Sequence, residues 1–173
     1  LVPGPTRPAA VLVPMIRKAS GWELLFIRRT QVDGDPHSGQ VAFPGGRMDP
    51  ADKSPAATAI REANEEIGLG VEDIEILGDL EYMVTISNYK LTPIVALIRN
   101  WPLPLARQEA EVDRIFPIPL NWLAEKINLR EEMRDLPQAN LNIPVYYFNE
   151  FDGELLWGVT AHIVVNLVDA LSS

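Results

Sequence analysis

The most informative stretch of this sequence is Ser54-Pro-Ala-Ala-Thr-Ala-Ile-Arg-Glu-Ala-Asn-Glu-Glu-Ile-Gly68, which has the pattern of one complete α-helix. Ser54 can cap the first turn with its hydroxyl group, and Pro55 suits the first helical position, where an N–H group has no partner within the helix. Gly68 can end the helix because glycine readily adopts the left-handed conformation. The apolar positions expected to face the core are Ile60, Ala63 and Ile67.

Three glutamates lie close together near the end of this helix, at positions Glu62, Glu65 and Glu66. Glu62 and Glu66 are four residues apart and therefore lie on one face, with Glu65 beside them. Carboxylates at this spacing repel each other by about 0.2–0.5 kcal/mol per pair, whereas a divalent cation prefers oxygen ligands and removes the repulsion. The cluster is compatible with a metal site and also with a solvated acidic face, which is the more common explanation of acids alone.

The residues before the helix favour the metal site over the solvated face. Pro44-Gly45-Gly46 predicts a turn of small residues, at which a backbone carbonyl can approach a bound ion closely. An acidic loop with Asp49 and Asp52 follows this turn. The combination predicts a site for Mg²⁺ or Mn²⁺ between the turn and the helix.

The composition limits the class of protein. A length of 173 residues fits one domain, 1–173, and 47% hydrophobic with 23% charged residues is typical of a globular chain. The absence of cysteine excludes disulfides, thiolate metal sites and a cysteine nucleophile. No apolar run reaches the length of about 20 residues that crosses a bilayer, and Leu1–Arg7 lacks the pattern of a secretory signal. We therefore expect a cytoplasmic protein without a membrane partner.

The net charge of −9, from 24 acidic and 15 basic residues, limits the binding partner. A nucleic-acid partner is disfavoured, because phosphate-backbone binding depends on clustered Lys and Arg. An acidic protein can still bind a phosphorylated small molecule when a divalent cation lies between the two anions. A homodimer is the expected assembly, since symmetric pairs are the commonest oligomers.

The order of the predicted elements indicates the fold class. Strands are predicted at Ala9–Met15, Trp22–Ile27, Ile74–Val84, Leu91–Ile98 and Arg114–Ile118, and a strand pair at Val145–Phe148 and Glu154–Leu156. Beyond the glutamate-rich helix, helices are predicted at Leu120–Lys126 and Val159–Leu171. Strands, helix, strands and helix in this order favour an α/β fold of the α+β type, an α/β/α sandwich with a mixed sheet between helices.

The glutamate-rich segment resembles the signature of the Nudix hydrolases, G-x5-E-x7-R-E-U-x-E-E-x-G-U, in which U is an aliphatic residue. Arg61-Glu-Ala-Asn-Glu-Glu-Ile-Gly-Leu69 matches every fixed polar position of its helical half, with the small Ala63 in an aliphatic position. The loop half departs from the signature. Gly46 precedes Arg61 by fifteen residues instead of fourteen, and Asp52, which has a shorter reach, stands where the first glutamate is expected.

A second resemblance is to the additional motif of the coenzyme A diphosphatase branch, L-L-T-x-R-(S/A)-x3-R-x3-G-x3-F-P-G-G. The matching segments are Leu24-Leu-Phe-Ile-Arg28 and His37-Ser-Gly-Gln-Val-Ala-Phe-Pro-Gly-Gly46, and Trp157-Gly-Val-Thr-Ala161 is also similar to this branch. Asp35 occupies the place of the second arginine, and two extra residues lengthen the loop between Arg29 and His37.

The resemblance implies a metal-dependent hydrolase of a nucleoside diphosphate linkage, with Mg²⁺ or Mn²⁺ as cofactor. Its implied direct metal ligands are Glu62 and Glu66, with the Gly46 carbonyl completing the shell. Glu65 is implied as a water-bridged ligand or a base, and Arg61 as the residue that orients the carboxylates. Glu111 is the candidate for a further catalytic acid, with a solvated loop acid as the alternative.

The implied substrate is a small nucleotide such as coenzyme A or acyl-coenzyme A, which would give 3′,5′-ADP and a phosphopantetheine product. The candidate substrate-binding residues are Arg28, His37, Gly39, Phe43 and Gly45; for Phe43 a place in the core is the favoured alternative. NADH or ADP-ribose is the alternative substrate, motivated by Asp35. A non-catalytic nucleotide-binding domain of the same fold is the third hypothesis.

Overall fold

A mixed sheet between helices forms the centre of the computed structural model, which describes residues 4–173. Its strands are β1 (Arg7–Lys18), β2 (Gly21–Arg29), β3 (Val41–Ala42), β4 (Gly45–Arg47), β5 (Ile74–Asp79), β6 (Met83–Val84), β7 (Tyr89–Ile98) and β8 (Val112–Pro119). The helices are α1 (Pro55–Ile67), α2 (Leu120–Ala124) and α3 (Gly158–Leu171), and a separate hairpin consists of β9 (Leu129–Leu136) and β10 (Leu141–Phe148).

The strand β1 lies in the middle of the sheet. It runs parallel to β7 and antiparallel to β2 and β4, which makes the sheet mixed, as the sequence predicts. β8 lies on the far side of β2, and β3 pairs with the end of β2 on the same edge that pairs with β1 further back. On the far side of β7 lie β5 and β6.

Both faces of the sheet are buried. Alternate residues of each strand point to opposite sides, so each strand contributes side chains to both layers. On β1, Leu12 packs in the layer that contains α1, and Val13 packs in the layer that contains α3. The helix α1 contributes its own buried face to the first layer, and α3 contributes Ile163, Val164 and Leu167 to the second. The expected α/β/α sandwich is therefore confirmed.

The helix α1 has the predicted caps but a different buried face. The hydroxyl oxygen of Ser54 accepts a hydrogen bond from the Ala57 N–H group at 3.1 Å, and Gly68 has the left-handed φ of 71°. The expected core position of Ile60 is wrong, because Ile60 is only partly buried. The fully buried face runs through Ala59, Ala63 and Ile67, each four residues from the next.

The predicted strand pair near the end of the chain is only partly formed. Val145–Phe148 lies in β10, which pairs along its whole length with β9, and Glu154–Leu156 is not a strand. The two segments are joined by isolated bridges and by a hydrogen bond from the Phe148 N–H group to the Leu156 carbonyl oxygen at 2.9 Å. The sequence of β9, Leu-Arg-Glu-Glu-Met-Arg-Asp-Leu, is charged and exposed over most of its length. It therefore lacks the apolar alternation by which a strand is predicted. No helix in residues 4–173 has the length and hydropathy needed to span a membrane.

Candidate active site

The last two turns of α1 face the glycine turn that precedes the helix in the sequence. The strand β4 pairs with β1 with Gly46 opposite Ala10, and β1 packs against α1. The N–H group of Gly45 donates a hydrogen bond to Oε1 of Glu66 at 3.1 Å. A Cβ atom at Gly46 would lie 2.5 Å from Oε1 of Glu62, which is too close for any other residue without movement. Both glutamates therefore lie directly against the main chain of the turn.

The surroundings of these two glutamates oppose negative charge. Glu66 is only 3% exposed. Burial, together with the nearby charge of Glu62 and against the hydrogen bond from Gly45, raises the pKa of its carboxyl group to about 8. The pKa of Glu62 is also raised, chiefly by burial, although Arg61 lowers it. A positive charge placed between the two side chains would stabilise both as carboxylates.

The guanidinium group of Arg61 links α1 to the acidic loop before it. It donates to Oδ2 of Asp52 at 2.9 Å, to Oε1 of Glu62 at 3.2 Å and to the carbonyl oxygen of Arg47 at 3.1 Å. The shorter side chain of Asp52 therefore does reach Arg61. Hydrogen bonds from Arg61, and a further one from the backbone of Asp49, hold the pKa of Asp52 well below its ordinary value. Arg61 consequently fixes Glu62 relative to the loop.

The expected cluster of three carboxylates is not assembled in this conformation. No three or more acidic or histidine side chains of residues 4–173 are grouped closely enough to hold a metal ion. The reason is Glu65, whose side chain is 55% exposed and is bound by Arg61 at 3.2 Å. The groups that do converge are the carboxylates of Glu62 and Glu66 and the main chain of Gly46. These hard oxygen donors fit a divalent cation such as Mg²⁺ or Mn²⁺.

A loop covers the carboxyl end of α1 and brings Glu111 to that end of the helix. The N–H group of Gln108 donates to the carbonyl oxygen of Glu66 at 2.8 Å, and the carbonyl oxygen of Glu111 accepts from the Thr30 N–H group at 3.0 Å. Glu111 is exposed. The neighbouring Glu109 is paired with Arg107 at 3.6 Å. The catalytic role of Glu111 stays a prediction.

Two of the expected substrate-binding residues lie elsewhere. Arg28 is bound to Glu154 at 2.6 Å and to Asp113 at 2.7 Å, on the side of the sheet that faces away from α1. Its guanidinium group is therefore already occupied by carboxylates. Phe43 is buried in the core, where its ring stacks on Phe26 with a centroid distance of 4.7 Å. Phe43 therefore fills the core, while Arg28 joins strands and its contact with substrate stays a prediction.

The remaining substrate candidates belong to the loop before β3 and to the glycine turn. His37 is exposed, and its backbone N–H group donates to Oδ1 of Asp35 at 2.9 Å. Gly39 has a φ of 74°, and its N–H group donates to the carbonyl oxygen of Arg29 at 3.1 Å. The N–H group of Gly45 is bound to Glu66 and is not free for a substrate. The loop therefore leaves the His37 side chain exposed for contact with a ligand.

Arg29 also lies near this site, although neither sequence motif assigns it a role. It pairs across the sheet with Val112, which is buried in the α1 layer, and its positive charge acts on Glu66. The sequence could have indicated this, because consecutive residues of a strand lie on opposite faces and one of the two arginines must therefore face α1. Ile27 lies two residues earlier and is buried in the same α1 layer.

Comparison with known proteins agrees with this geometry. The family model of the NUDIX domain matches residues 6–138. The chain is 36% identical over 167 residues to the uncharacterized Nudix hydrolase NudL of Yersinia pestis (strain Pestoides F). The alignment covers 96% of this chain and 80% of that protein.

Two solved structures share the fold. The MutT/nudix family protein from Enterococcus faecalis has a TM-score of 0.59 at 14% identity and covers 100% of this chain and 65% of its own. The C. elegans Ap4A hydrolase in a binary complex has a TM-score of 0.56 at 23% identity and covers 65% of this chain and 80% of its own. The family match spans most of the described sheet and the whole of α1. This chain therefore belongs to the Nudix family and is a hydrolase of nucleoside diphosphate-linked substrates.

Proposed function

We propose that the hydrolysis depends on Mg²⁺ or Mn²⁺ held by Glu62, Glu66 and the carbonyl oxygen of Gly46. The observation that carries this proposal is the buried carboxyl group of Glu66 beside the partly buried one of Glu62, against a glycine main chain. Two adjacent acids at such a site are unfavourable as anions, and a bound cation would compensate them. When bound, the cation supplies neutralisation of the phosphate charge and activation of a water molecule.

The other residues of the site orient groups or move protons. Arg61 holds Glu62 and Glu65 by hydrogen bonds at 3.2 Å. We assign Glu65, which is at the solvent edge, as a water-bridged metal ligand or as the general base, and Glu111 as the second candidate for the base. Glu65→Gln and Glu111→Gln separate them, because the variant of the true base loses turnover and keeps its affinity for Mn²⁺.

The proposed substrate is coenzyme A or acyl-coenzyme A, cleaved to 3′,5′-ADP and phosphopantetheine or its acyl form. The support is the likeness of Leu24–Arg28 and His37–Gly46 to the motif of the coenzyme A diphosphatase branch. The second segment ends in the glycine turn, and the first is followed directly by Arg29, which lies on the α1 face of β2.

A specific observation favours NADH or ADP-ribose as the second candidate. Asp35 replaces the second arginine of the motif, and its carboxylate is used to hold the N–H group of His37 within the same loop. This loop therefore offers no arginine for the additional phosphate that distinguishes coenzyme A.

The experiment is a substrate panel with pure protein and Mn²⁺: coenzyme A, acetyl-coenzyme A, NADH, ADP-ribose and diadenosine polyphosphates. We expect the highest kcat/KM with a coenzyme A compound and release of 3′,5′-ADP. If coenzyme A ranks last and NADH or ADP-ribose ranks first, the second candidate replaces the first.

The variant Glu66→Gln tests catalysis itself, against the hypothesis of a non-catalytic nucleotide-binding domain. Loss of one direct ligand should lower kcat on the best substrate by on the order of 100-fold or more. Folding should be retained, since the amide has nearly the same shape and its oxygen can still accept the hydrogen bond from Gly45. A turnover rate equal to that of the wild type would contradict the metal role of Glu66.

A further inference from the structure

Two consecutive arginines at the end of β2 lie on opposite faces of the sheet. Arg28 points away from α1 and forms ion pairs with Asp113 and Glu154. Arg29 follows Ile27 in the α1 layer and pairs across the sheet with Val112 in that layer. The second arginine is therefore the one on the face that carries the catalytic glutamates.

The guanidinium group of Arg29 has no protein partner among residues 4–173. Its Nε atom is buried without a hydrogen bond, and its side chain forms no ion pair in that part of the chain. Arg29 as a whole is only partly buried. A buried donor atom without a partner is unfavourable, so the Nε atom points to a ligand that supplies the acceptor. Its positive charge is close enough to lower the pKa of the Glu66 carboxyl group.

The chemistry of this orphaned donor identifies the class of its acceptor. A guanidinium group is planar and binds two phosphate oxygens at once. Glu66 itself is not that acceptor, because neither oxygen of its carboxyl group forms a hydrogen bond with the unpartnered Nε of Arg29. A diphosphate held next to Glu62 and Glu66 would bring phosphate oxygens between the glutamates and this arginine.

We infer that Arg29 binds a phosphate oxygen of the diphosphate of the substrate. This inference rests on the proposed function, because it requires the diphosphate to lie at the Glu62–Glu66 pair. Arg29 thus holds the diphosphate from the α1 face of the sheet, opposite to the ion pairs of Arg28.

Calorimetry tests this assignment with two probes, Mn²⁺ alone and ADP in the presence of Mn²⁺. In Arg29→Ala, loss of a charge-assisted contact should weaken ADP binding by about tenfold to a hundredfold. The affinity for Mn²⁺ alone should stay the same or increase, because a positive charge beside Glu66 has been removed. Arg29→Lys should restore part of the ADP affinity, and it also serves if the alanine variant does not fold. Arg99→Ala, which removes an exposed partner of Glu75, is the matched control.

Steady-state kinetics on the best substrate of the panel should show the loss mainly as a raised KM. Unchanged ADP affinity and KM in Arg29→Ala would overturn the inference, and so would an equal loss of Mn²⁺ and ADP binding, which is the result of a structural role. If the wild-type protein hydrolyses no compound of the panel, the proposed function fails instead. A normal wild-type enzyme with an unaffected Arg29→Ala variant refutes only the role of Arg29.

Discussion

At the scale of single residues, the position of Gly46 depends on the absence of a side chain. Its main chain lies so close to Glu62 that an added Cβ atom would be 2.5 Å from the carboxylate. The same glycine also pairs with Ala10 of β1, so the strand cannot move away without losing sheet hydrogen bonds. The carboxylate of Glu62 is the group that has to yield.

We therefore expect Gly46→Ala to displace Glu62 and to weaken Mn²⁺ binding, with a fall in kcat of about tenfold or more. The measurement is Mn²⁺ titration by calorimetry together with turnover at saturating Mn²⁺. Gly78→Ala is the matched control, because a Cβ atom there would meet nothing within 4 Å. Full activity of Gly46→Ala would show that the glycine turn does not limit the position of Glu62.

The sequence predicted some of these residues and not others, for physical reasons. The spacing of Glu62 and Glu66 requires only helical geometry, and the structure places both at the glycine turn. The direction of Glu65 depends on a competition between a cation and Arg61, which spacing does not describe. The choice between Arg28 and Arg29 depends on which face of β2 meets α1, and this is a tertiary property.

At the scale of elements, α1 and the loop before it are joined by Asp52. This aspartate accepts from Arg61 at 2.9 Å and from the Thr58 hydroxyl group at 2.9 Å, while Asp49 supplies a backbone N–H group. It therefore connects the loop to the first two turns of the helix. The family signature has a glutamate at this position. Its side chain is longer by one methylene group and would contact the same guanidinium group.

Asp52→Asn should lower the melting temperature in a pH-dependent way. The pKa of Asp52 is lowered in the folded protein, so its charged form stabilises the fold fully above an unfolded pKa of about 3.9. This contribution is lost as the pH falls below that value towards the folded pKa. The difference in melting temperature between wild type and Asp52→Asn should therefore be largest above about pH 5 and narrow below about pH 4.

The control for this measurement is Asp33→Asn, which changes an exposed loop residue in the same charge class. A difference between wild type and Asp52→Asn that does not vary with pH would show that shape, not charge, connects the loop to α1. The same elements illustrate why prediction is uneven. The caps of α1 are local and were predicted, whereas β9 is defined only by its pairing with β10.

At the scale of the whole molecule, Glu154 connects distant parts of the chain. It is 3% exposed and accepts from Arg28 of β2 at 2.6 Å and from Arg114 of β8 at 2.9 Å. It stands shortly before α3, so these contacts fix the approach to the last helix relative to the sheet. No local pattern predicts them, because the partners are 126 and 40 residues away.

Glu154→Ala should lower the free energy of unfolding by about 2 kcal/mol, less than the loss for a fully buried pair because both arginines keep contact with water. For a chain of this length the melting temperature should fall by about 4–8 °C. KM for the best substrate should not change, since Glu154 and Arg28 lie on the face away from α1.

Thermal unfolding and steady-state kinetics check both expectations. Glu75→Ala, which breaks an exposed pair with Arg99, should change stability by less than about 1 kcal/mol. A raised KM in Glu154→Ala with normal stability would return Arg28 to the substrate site. The single domain 1–173 and the homodimer stay predictions, which sedimentation and cooperative unfolding would address.

The opposite orientation of Arg28 and Arg29 has a consequence for how related sequences are aligned. A gap misplaced by one position at the end of this strand would align Arg28, which forms ion pairs within the fold, with Arg29, which lies on the face of the active site. The alignment score would hardly change. Homologues that retain one arginine here should therefore be sorted by the face of the sheet on which it lies. Only those whose arginine aligns with Arg29 should be expected to bind substrate in the same way.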